Sequence, residues 1–393
     1  MRKKKNAFTL IELLAVIVIL AVILVIAIPR ILDVIETSKK DSFKNSAQLI
    51  ADSAEKKKVS DKLLGKDEEI TCKDVAKIND EDYASCKITF DSDGIAKVSI
   101  TGRGKFDGLK ITNGTKENAE VKEITKPTYG MKATEYITNL LEYDGEGLKI
   151  DNTSDQNIRY YGSNPNNYVS FNNELWRIIG VFGNNVKLVR SEKLGELSWD
   201  SSDSTINSGS GINQWGESTD ADGNEYAGAD LQVYLNKMYY GGDTTVTCYI
   251  GRKNATTICP KDSKGNFLTI NETSKSLIDN HTWNTGAIDY NTRTNTLAFY
   301  KDERGKQTGK ICNGGASCND TVERTTTWTG YVGLPYITDY AYASSESACE
   351  IDMKTKDSSN NYICKNNNWM QRSTWTWYLT PSIGSGGADI SNY

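Results

Sequence analysis

The longest apolar run lies close to the N-terminus. Residues 8–28, FTLIELLAVIVILAVILVIAI, contain a single charge, Glu12, and follow a basic cluster in MRKKKNA. A helix of this length spans roughly 30 Å, the thickness of a bilayer core. Residues 8–28 are therefore predicted to cross a membrane, with the basic residues on the cytoplasmic side. A secretory signal peptide is disfavoured because the run is long and no small-residue cleavage site follows it.

Beyond the apolar run the pattern becomes amphipathic. Phe43, Ala47, Ile50 and Ala54 recur at intervals of four, three and four residues, which places them on one helical face. Pro29 lacks an N–H and is expected to bend the helix without ending it. The pattern predicts one helix over residues 8–58, whose second half packs on a small globular head.

Alternating apolar and polar positions then predict a small antiparallel sheet over residues 59–115. The predicted strands lie near residues 86–90, 95–101 and 109–112, and Asp91-Ser-Asp-Gly94 is a turn sequence between the first two. Residues 116–160 are mostly polar and are predicted to form a connector with one helix. Residues 161–393 form a separate region that is predicted to be β-rich and rich in loops.

Tryptophan is confined to that last region, which supports a separate domain. The eight tryptophans are Trp176, Trp199, Trp215, Trp283, Trp328, Trp369, Trp375 and Trp377. Short β-type runs occur at residues 168–171, 175–180 and 186–190, and one helix is predicted at residues 230–236. The fold class is thus α+β, with a long N-terminal transmembrane helix packed on a small antiparallel sheet and followed by a larger β-rich domain.

Composition and charge narrow the functional classes. The formal net charge is −5, which argues against nucleic acid as the main partner. The single histidine, His281, rules out a multi-histidine metal centre and leaves one imidazole for catalysis. No Gly-x-Ser-x-Gly elbow or other nucleophile signature accompanies it. We predict that the protein is not an enzyme and requires no cofactor or metal.

The cysteines point to disulfides outside the cytoplasm. They form four sequential pairs: Cys72 and Cys86, Cys248 and Cys259, Cys312 and Cys318, Cys349 and Cys364. An even count in an exported chain indicates a disulfide framework. The sequence contains no CxxC knuckle, the pattern that would indicate a zinc site. Eight cysteines allow 105 pairings, so pairing between neighbours remains one option among many.

The N-terminal residues Lys5-Asn-Ala-Phe-Thr-Leu-Ile-Glu-Leu-Leu14 resemble the prepilin cleavage and methylation motif of type IV pilins and type II secretion pseudopilins. The resemblance implies that prepilin peptidase removes residues 1–7 as a leader, by cutting between Ala7 and Phe8, and that Phe8 is N-methylated. Ala7 replaces the more usual glycine. Glu12 and Pro29 match the glutamate and the helix-kinking proline of the family.

The same resemblance gives Glu12 a role in assembly. Cleavage would create an ammonium group at Phe8, and the Glu12 carboxylate of the same or a neighbouring subunit would offset its desolvation. The partners implied are the membrane, prepilin peptidase and other pilin subunits. Residues 59–115 would then correspond to a pilin-like β head.

The C-terminal region also resembles an uncharacterised extracellular module of Gram-positive bacteria that is distantly similar to C-type-lectin-like folds. The resemblance rests on segments such as Trp176-Arg-Ile-Ile-Gly180 and Trp375-Thr-Trp-Tyr-Leu-Thr-Pro381. The module usually ends in a Val-Arg-Pro strand. The chain ends at Tyr393 without that strand, so truncation remains open.

Two ligand sites are conceivable in this region. Trp375 and Trp377 would share one strand face and could stack on a glycan or bind a protein ligand. Asp220-Ala-Asp-Gly-Asn-Glu225 is rich in oxygen ligands but matches a calcium loop only loosely, and a solvated turn is the simpler interpretation.

The sequence therefore favours a structural pilin-like subunit, located at the membrane and at the cell surface or in a pilus after assembly. The large C-terminal domain fits a minor or tip subunit better than a densely packed repeating one. The alternatives are a surface-anchored adhesin or ligand-binding protein that uses the pilin N-terminus for export, and a surface enzyme. The machine served, whether pilus, competence filament or secretion pseudopilus, stays open.

Overall fold

The computed structural model describes residues 10–66, 68–76, 81–200, 215–219, 225–226, 228–250, 255–286, 288, 295–304, 326–372, 376 and 378–380. The chain divides into two compact units, Met1–Gly145 and Glu146–Tyr393. Both helices and antiparallel sheets are present, so the α+β class is confirmed. A lectin-like fold for the second unit stays a prediction.

One long helix dominates the first unit. Helix α1 spans Leu10–Leu63, 54 residues, with Pro29 inside it. At 1.5 Å per residue this corresponds to about 80 Å. The helix ends five residues later than the sequence pattern indicated, and Phe8 lies outside the described residues. Pro29 does not end the helix, as expected.

A four-stranded antiparallel sheet packs on the second half of α1, with the strand order β1-β2-β3-β4. Its strands and the two short helices of the unit are β1 (Tyr83–Phe90), β2 (Ala96–Gly102), β3 (Leu109–Gly114), β4 (Val121–Glu123), α2 (Cys72–Val75) and α3 (Ala133–Tyr143). The predicted hairpin is present, and the Asp91 carboxylate closes its turn by accepting hydrogen bonds from the backbone N–H groups of Asp93 and Ile95. Gly94 adopts a φ of +81°, which favours glycine.

The segment expected to be a connector, residues 116–160, differs from that expectation. It supplies β4 and α3 to the first unit and two strands to the second, and the unit boundary falls after Gly145 instead of after residue 160. Helix α3 belongs to the first unit because Tyr143 donates a hydrogen bond to Asp107 at 2.8 Å. Lys110 also donates to the Glu142 carbonyl oxygen. The polar sequence of this segment gives no sign of these two hydrogen bonds.

A five-stranded antiparallel sheet organises the second unit. Strand β8 pairs with β6, β7 and β9, and β5 pairs with β6. The strands are β5 (Leu148–Ile150), β6 (Ile158–Tyr160), β7 (Tyr168–Phe171), β8 (Glu174–Phe182) and β9 (Asn185–Arg190). Gly180 lets β6 approach closely, because a Cβ there would collide with the Ile158 carbonyl oxygen.

Short elements complete the described part of the second unit. Two-stranded antiparallel ribbons pair β10 (Ser218–Thr219) with β11 (Glu225–Tyr226), β12 (Cys248–Tyr249) with β13 (Thr256–Thr257), and β14 (His281–Asn284) with β15 (Thr327–Gly330). The helices are α4 (Asp230–Val233), α5 (Glu272–Lys275), α6 (Thr296–Arg304), α7 (Ile337–Tyr342) and α8 (Ser347–Ile351). Helix α4 continues as a π-helical segment over Tyr234–Tyr240.

Candidate functional site

Most of the first part of α1 is apolar and exposed, and its charged residues are Glu12 and, after Pro29, Arg30 and Asp33. Its most apolar 18-residue window has a mean hydropathy of 3.4, and none of that window is buried. By length and composition, this helix is able to cross a membrane. The exposed apolar residues are Leu10, Ile11, Leu13, Leu14, Val16, Ile17, Val18, Ile19, Leu20, Val22, Ile23, Val25, Ile28, Ile31, Leu32, Val34 and Ile35. Large apolar side chains exposed on every side of a helix require a lipid or protein environment.

Glu12 lies in the first turn of the described helix, within this apolar surface. A carboxylate in such a segment is costly in lipid and usually has a functional role. Ala7 and Phe8, the residues expected to flank the cleavage site, lie outside the described residues. The structure therefore brings Glu12 and Pro29 onto one helix, and the processing site itself stays a prediction.

The second part of α1 is fixed to the head by its apolar face. Phe43, Ala47 and Ala54 are fully buried, and Ile50 is almost so, as the sequence pattern predicted. The Phe43 ring packs 5.2 Å from the Phe106 ring, centroid to centroid. These contacts leave the first part of the helix as the apolar extension of a folded head.

Charged side chains along α1 reinforce that attachment. Lys39 donates to the Asp107 carbonyl oxygen at 2.7 Å, and Lys116 pairs with Glu55 at 2.8 Å. Lys40 pairs with Glu123 of β4 and with Glu36 one turn earlier. A hydrogen bond from Lys40 lowers the pKa of Glu123 below its usual value. The charged part of α1 thus begins at Arg30, directly after Pro29.

The disulfides of the described residues lie outside the apolar segment. They link Cys72 to Cys86 in the first unit, and Cys248 to Cys259 and Cys349 to Cys364 in the second. Each disulfide joins two cysteines with no other cysteine between them in the sequence. Cys312 and Cys318 lie outside the described residues. Disulfides are typical of chains that fold outside the cytoplasm, which fits the expected orientation of the helix.

The structure adds little information about the remaining candidate residues. Trp375, Trp377 and residues 220–224 of the calcium-loop candidate lie outside the described residues. His281 is half-exposed, with its Nδ1 atom 3.2 Å from an Asp279 carboxylate oxygen and its ring beside Trp283. Within the part of the chain that the structure describes, no cluster of three or more metal-ligating side chains occurs.

A buried charge chain in the second unit was not anticipated from the sequence. Arg159 of β6 donates through Nε to Asp151 at 2.8 Å and through Nη1 to Asp339 of α7 at 2.6 Å. Asp339 also pairs with Lys187 of β9. The side chains of Arg159, Asp151 and Asp339 are at most 1% exposed, and that of Lys187 is 13% exposed. We call Lys187, Asp339, Arg159 and Asp151 the buried charge chain.

Alternating charges explain how this chain tolerates burial. Burial alone would raise the pKa of Asp339, but the positive charges of Lys187 and Arg159 hold it below its usual value. The pKa of Asp151 is lowered in the same way beside Arg159, with further hydrogen bonds from Thr153 and Asn157. The residues are too far apart in sequence for any local pattern to reveal them, since 180 positions separate Arg159 from Asp339.

Comparison with known proteins identifies the N-terminal segment. A family model described as the prokaryotic N-terminal methylation motif matches residues 2–28. The match supports a type IV pilin-like protein. It covers the basic cluster, the expected cleavage site and the apolar run, including Glu12. Neither the curated proteins nor the solved structures contain a match to the chain.

The motif and the exposed apolar helix together support several conclusions. They are consistent with a subunit of the type IV pilin or pseudopilin type that is processed as a prepilin, and they suggest a structural, non-enzymatic protein. They imply processing by prepilin peptidase and association with other pilins. They also suggest a membrane-anchored protein that is assembled at the cell surface.

Proposed function

We propose that the chain is a minor or tip subunit of a type IV pilus or a pseudopilus. Prepilin peptidase cleaves it between Ala7 and Phe8, Phe8 is N-methylated, and the mature subunit waits in the membrane before it is assembled. The observation that carries this proposal is the continuous helix α1. Its first part is apolar on every side and lies within the matched motif, and its second part is buried against a disulfide-linked head.

Assembly then relies on Glu12 and on the apolar surface around it. In the membrane, lipid covers residues 10–28 of each subunit. In a filament, neighbouring helices replace the lipid, and the Glu12 carboxylate faces the ammonium group of a processed Phe8. Pairing these two charges in an apolar environment favours the assembled state and fixes the axial register between subunits.

The role of a minor or tip subunit rests on size. The second unit, Glu146–Tyr393, is larger than the whole first unit. A domain of this size on each subunit would crowd a tight helical array, whereas a subunit at the tip or at low abundance avoids that crowding. The second unit would then be the part that meets the surroundings of the cell.

The first test is the intact mass of the protein isolated from its own cell. The proposal requires the loss of residues 1–7 and the gain of one methyl group at Phe8. An unprocessed N-terminus would instead favour a surface-anchored adhesin or ligand-binding protein.

The second test separates assembly from membrane insertion. We expect Glu12→Gln to leave the protein in the membrane fraction and to reduce its amount in sheared filaments by about tenfold or more, because the charge pairing in the apolar environment is lost. Glu36→Gln is the matched control, because it makes the same change on the same helix beyond the apolar segment. Equal amounts of both variants in filaments would contradict the role of Glu12.

A further inference from the structure

Lys187 and Asp339 form an unusual pair within the buried charge chain. Their side chains are in direct contact although 152 positions separate them in sequence. Lys187 lies on β9, and Asp339 lies in the first turn of α7. The contact therefore joins the central sheet of the second unit to a helix from a distant part of the chain.

Aromatic rings enclose this pair. The Lys187 Nζ atom lies 4.1 Å from the centre of the Tyr336 ring, 5.4 Å from that of Phe182 and 5.7 Å from that of Trp283. Tyr336 is almost fully buried, and its backbone N–H donates to Asp339 Oδ2 at 2.8 Å. The amine and the carboxylate are thus held together in a site with little access to water.

Arg159 binds the other oxygen of the same carboxylate. Its Nη1 atom lies 2.6 Å from Asp339 Oδ1. A guanidinium group at this distance stabilises negative charge that develops on Oδ1. The Asp339 carboxylate therefore has an amine at one oxygen and a fixed positive charge at the other.

We propose that Lys187 and Asp339 condense to form an intramolecular amide bond, which ties β9 covalently to α7 after the unit has folded. Two groups held in contact react as if at very high concentration, with effective molarities on the order of 10⁵ M or more for well-oriented pairs. The folded unit holds the two side chains in contact, and the burial of the pair restricts hydrolysis of the product.

The reaction balances without an external reagent. The Lys187 ammonium passes one proton to Asp339 Oδ2, which gives a neutral amine and a carboxylic acid. The nitrogen lone pair then attacks Cγ, and the negative charge that forms on Oδ1 faces Arg159. The nitrogen releases a second proton to Oδ2, and the Cγ–Oδ2 bond breaks as one water molecule leaves. No atom is oxidised or reduced.

The protonation of the pair is consistent with a slow reaction. Burial lowers the pKa of Lys187, which favours the neutral nucleophilic amine, although Asp339 opposes this shift. The charges of Lys187 and Arg159 keep the pKa of Asp339 low, so the reactive neutral pair is the minor form. The bond is therefore expected to accumulate after folding instead of during it.

Peptide mapping of the full-length chain tests this inference. The protein is purified in detergent from its own cell, denatured, reduced, alkylated and digested with trypsin. An amide at Lys187 blocks cleavage at that residue. We expect one linked species that joins residues 178–190 to residues 325–354 and weighs one water molecule less than the two peptides together. Fragmentation of this species should locate the link at Lys187 and Asp339.

Lys187→Arg is the matched variant, because it keeps the positive charge but does not form the amide. The linked species should disappear completely, and residues 325–354 should appear as a free peptide. Recovery of that free peptide, without the linked species, from the folded wild-type protein would overturn the inference. The wild-type map decides the question even if the variant does not fold, and it is independent of pilin processing.

Discussion

The two units differ in where they place their charges. In the first unit the core is largely aliphatic, and its ion pairs, such as Lys116 with Glu55, remain partly exposed. In the second unit the cores are rich in aromatic residues, and the buried charge chain lies within the unit. The first unit should therefore depend mainly on apolar packing, whereas the second also depends on charges that cannot be removed singly.

The difference matters because substitutions of buried charges and of buried apolar groups destabilise a protein by different mechanisms. Truncating a buried apolar side chain removes transfer free energy and leaves a cavity. Removing one member of a buried ion pair leaves its partner without compensation, which costs about 3–5 kcal/mol. A complete pair, by contrast, can be nearly neutral for stability. The buried charge chain is thus a constraint on the fold more than a source of stability.

The largest effect is expected from Arg159→Met. The substitution leaves the Asp151 carboxylate, whose side chain is fully buried, without its guanidinium partner. We expect the free energy of unfolding of the second unit to fall by about 3–5 kcal/mol. Urea unfolding followed by tryptophan fluorescence measures this unit alone, because every tryptophan lies at or beyond Trp176.

Lys193→Met is the control for this experiment, because Lys193 pairs with Glu196 on the surface. Its free energy of unfolding should stay within about 0.5 kcal/mol of the wild-type value. A loss below about 1 kcal/mol for Arg159→Met would show that the second unit tolerates an unpaired buried carboxylate. The contrast between the two units would then disappear.

Phe43→Ala should produce the next effect, confined to the first unit. Phe43 is fully buried between α1 and the sheet, where it contacts Phe106 and Tyr83. Its truncation should destabilise the first unit by about 3 kcal/mol, at the low end for a buried phenylalanine. Hydrogen exchange should accelerate in β2 and in the second half of α1, while the tryptophan transition stays unchanged.

Leu49→Ala provides the matched comparison, since Leu49 lies on the same helix with 66% of its surface exposed. Exchange in β2 should remain at the wild-type rate in this variant. A shift of the tryptophan transition in Phe43→Ala would mean that the two units unfold together. Each substitution would then change the stability of both units.

The sequence was most informative where structure follows a local pattern. The helical face at Phe43, Ala47, Ile50 and Ala54 is buried as its spacing predicts, and strands β7 to β9 begin and end within two residues of the predicted runs. The apolar segment around Glu12 is also a local signal. Such features depend on residues a few positions apart, so their period is visible in the chain.

The sequence was least informative where contacts are distant. Arg159 and Asp339 look like ordinary surface charges in sequence, because only the folded unit brings them together. Residues 116–160 contain the predicted helix and also three strands, β4, β5 and β6, that their polar sequence did not indicate. The helix predicted at residues 230–236 begins at Asp230 as expected, but it continues to Tyr240 as a π-helical segment. The two-residue strands are too short to produce a periodic signal. The processing site at Ala7 and Phe8 is supported by the sequence motif alone and stays a prediction.

The smallest effect should come from Glu303→Gln, and it should depend on pH. Glu303 of α6 is fully buried and accepts hydrogen bonds from Thr338 and Thr380, and burial raises its pKa above the ordinary value of 4.5. The folded unit therefore binds this proton more tightly than the unfolded chain does. The stability that this provides is complete below about pH 4.5 and is lost as pH rises through the folded pKa.

A glutamine amide does not titrate, so the Glu303→Gln variant should lose none of its stability by this route. The free energy of unfolding of the variant, relative to wild type, should increase as the pH rises above 4.5. Asp151 acts in the opposite direction, since its lowered pKa makes stability fall under acid, but it is present in both proteins and its effect cancels. Glu196→Gln, at an exposed position, should show no such trend. A difference that is flat with pH would mean that Glu303 ionises as readily in the folded unit as in the unfolded chain, and that charges are buried there well beyond the buried charge chain.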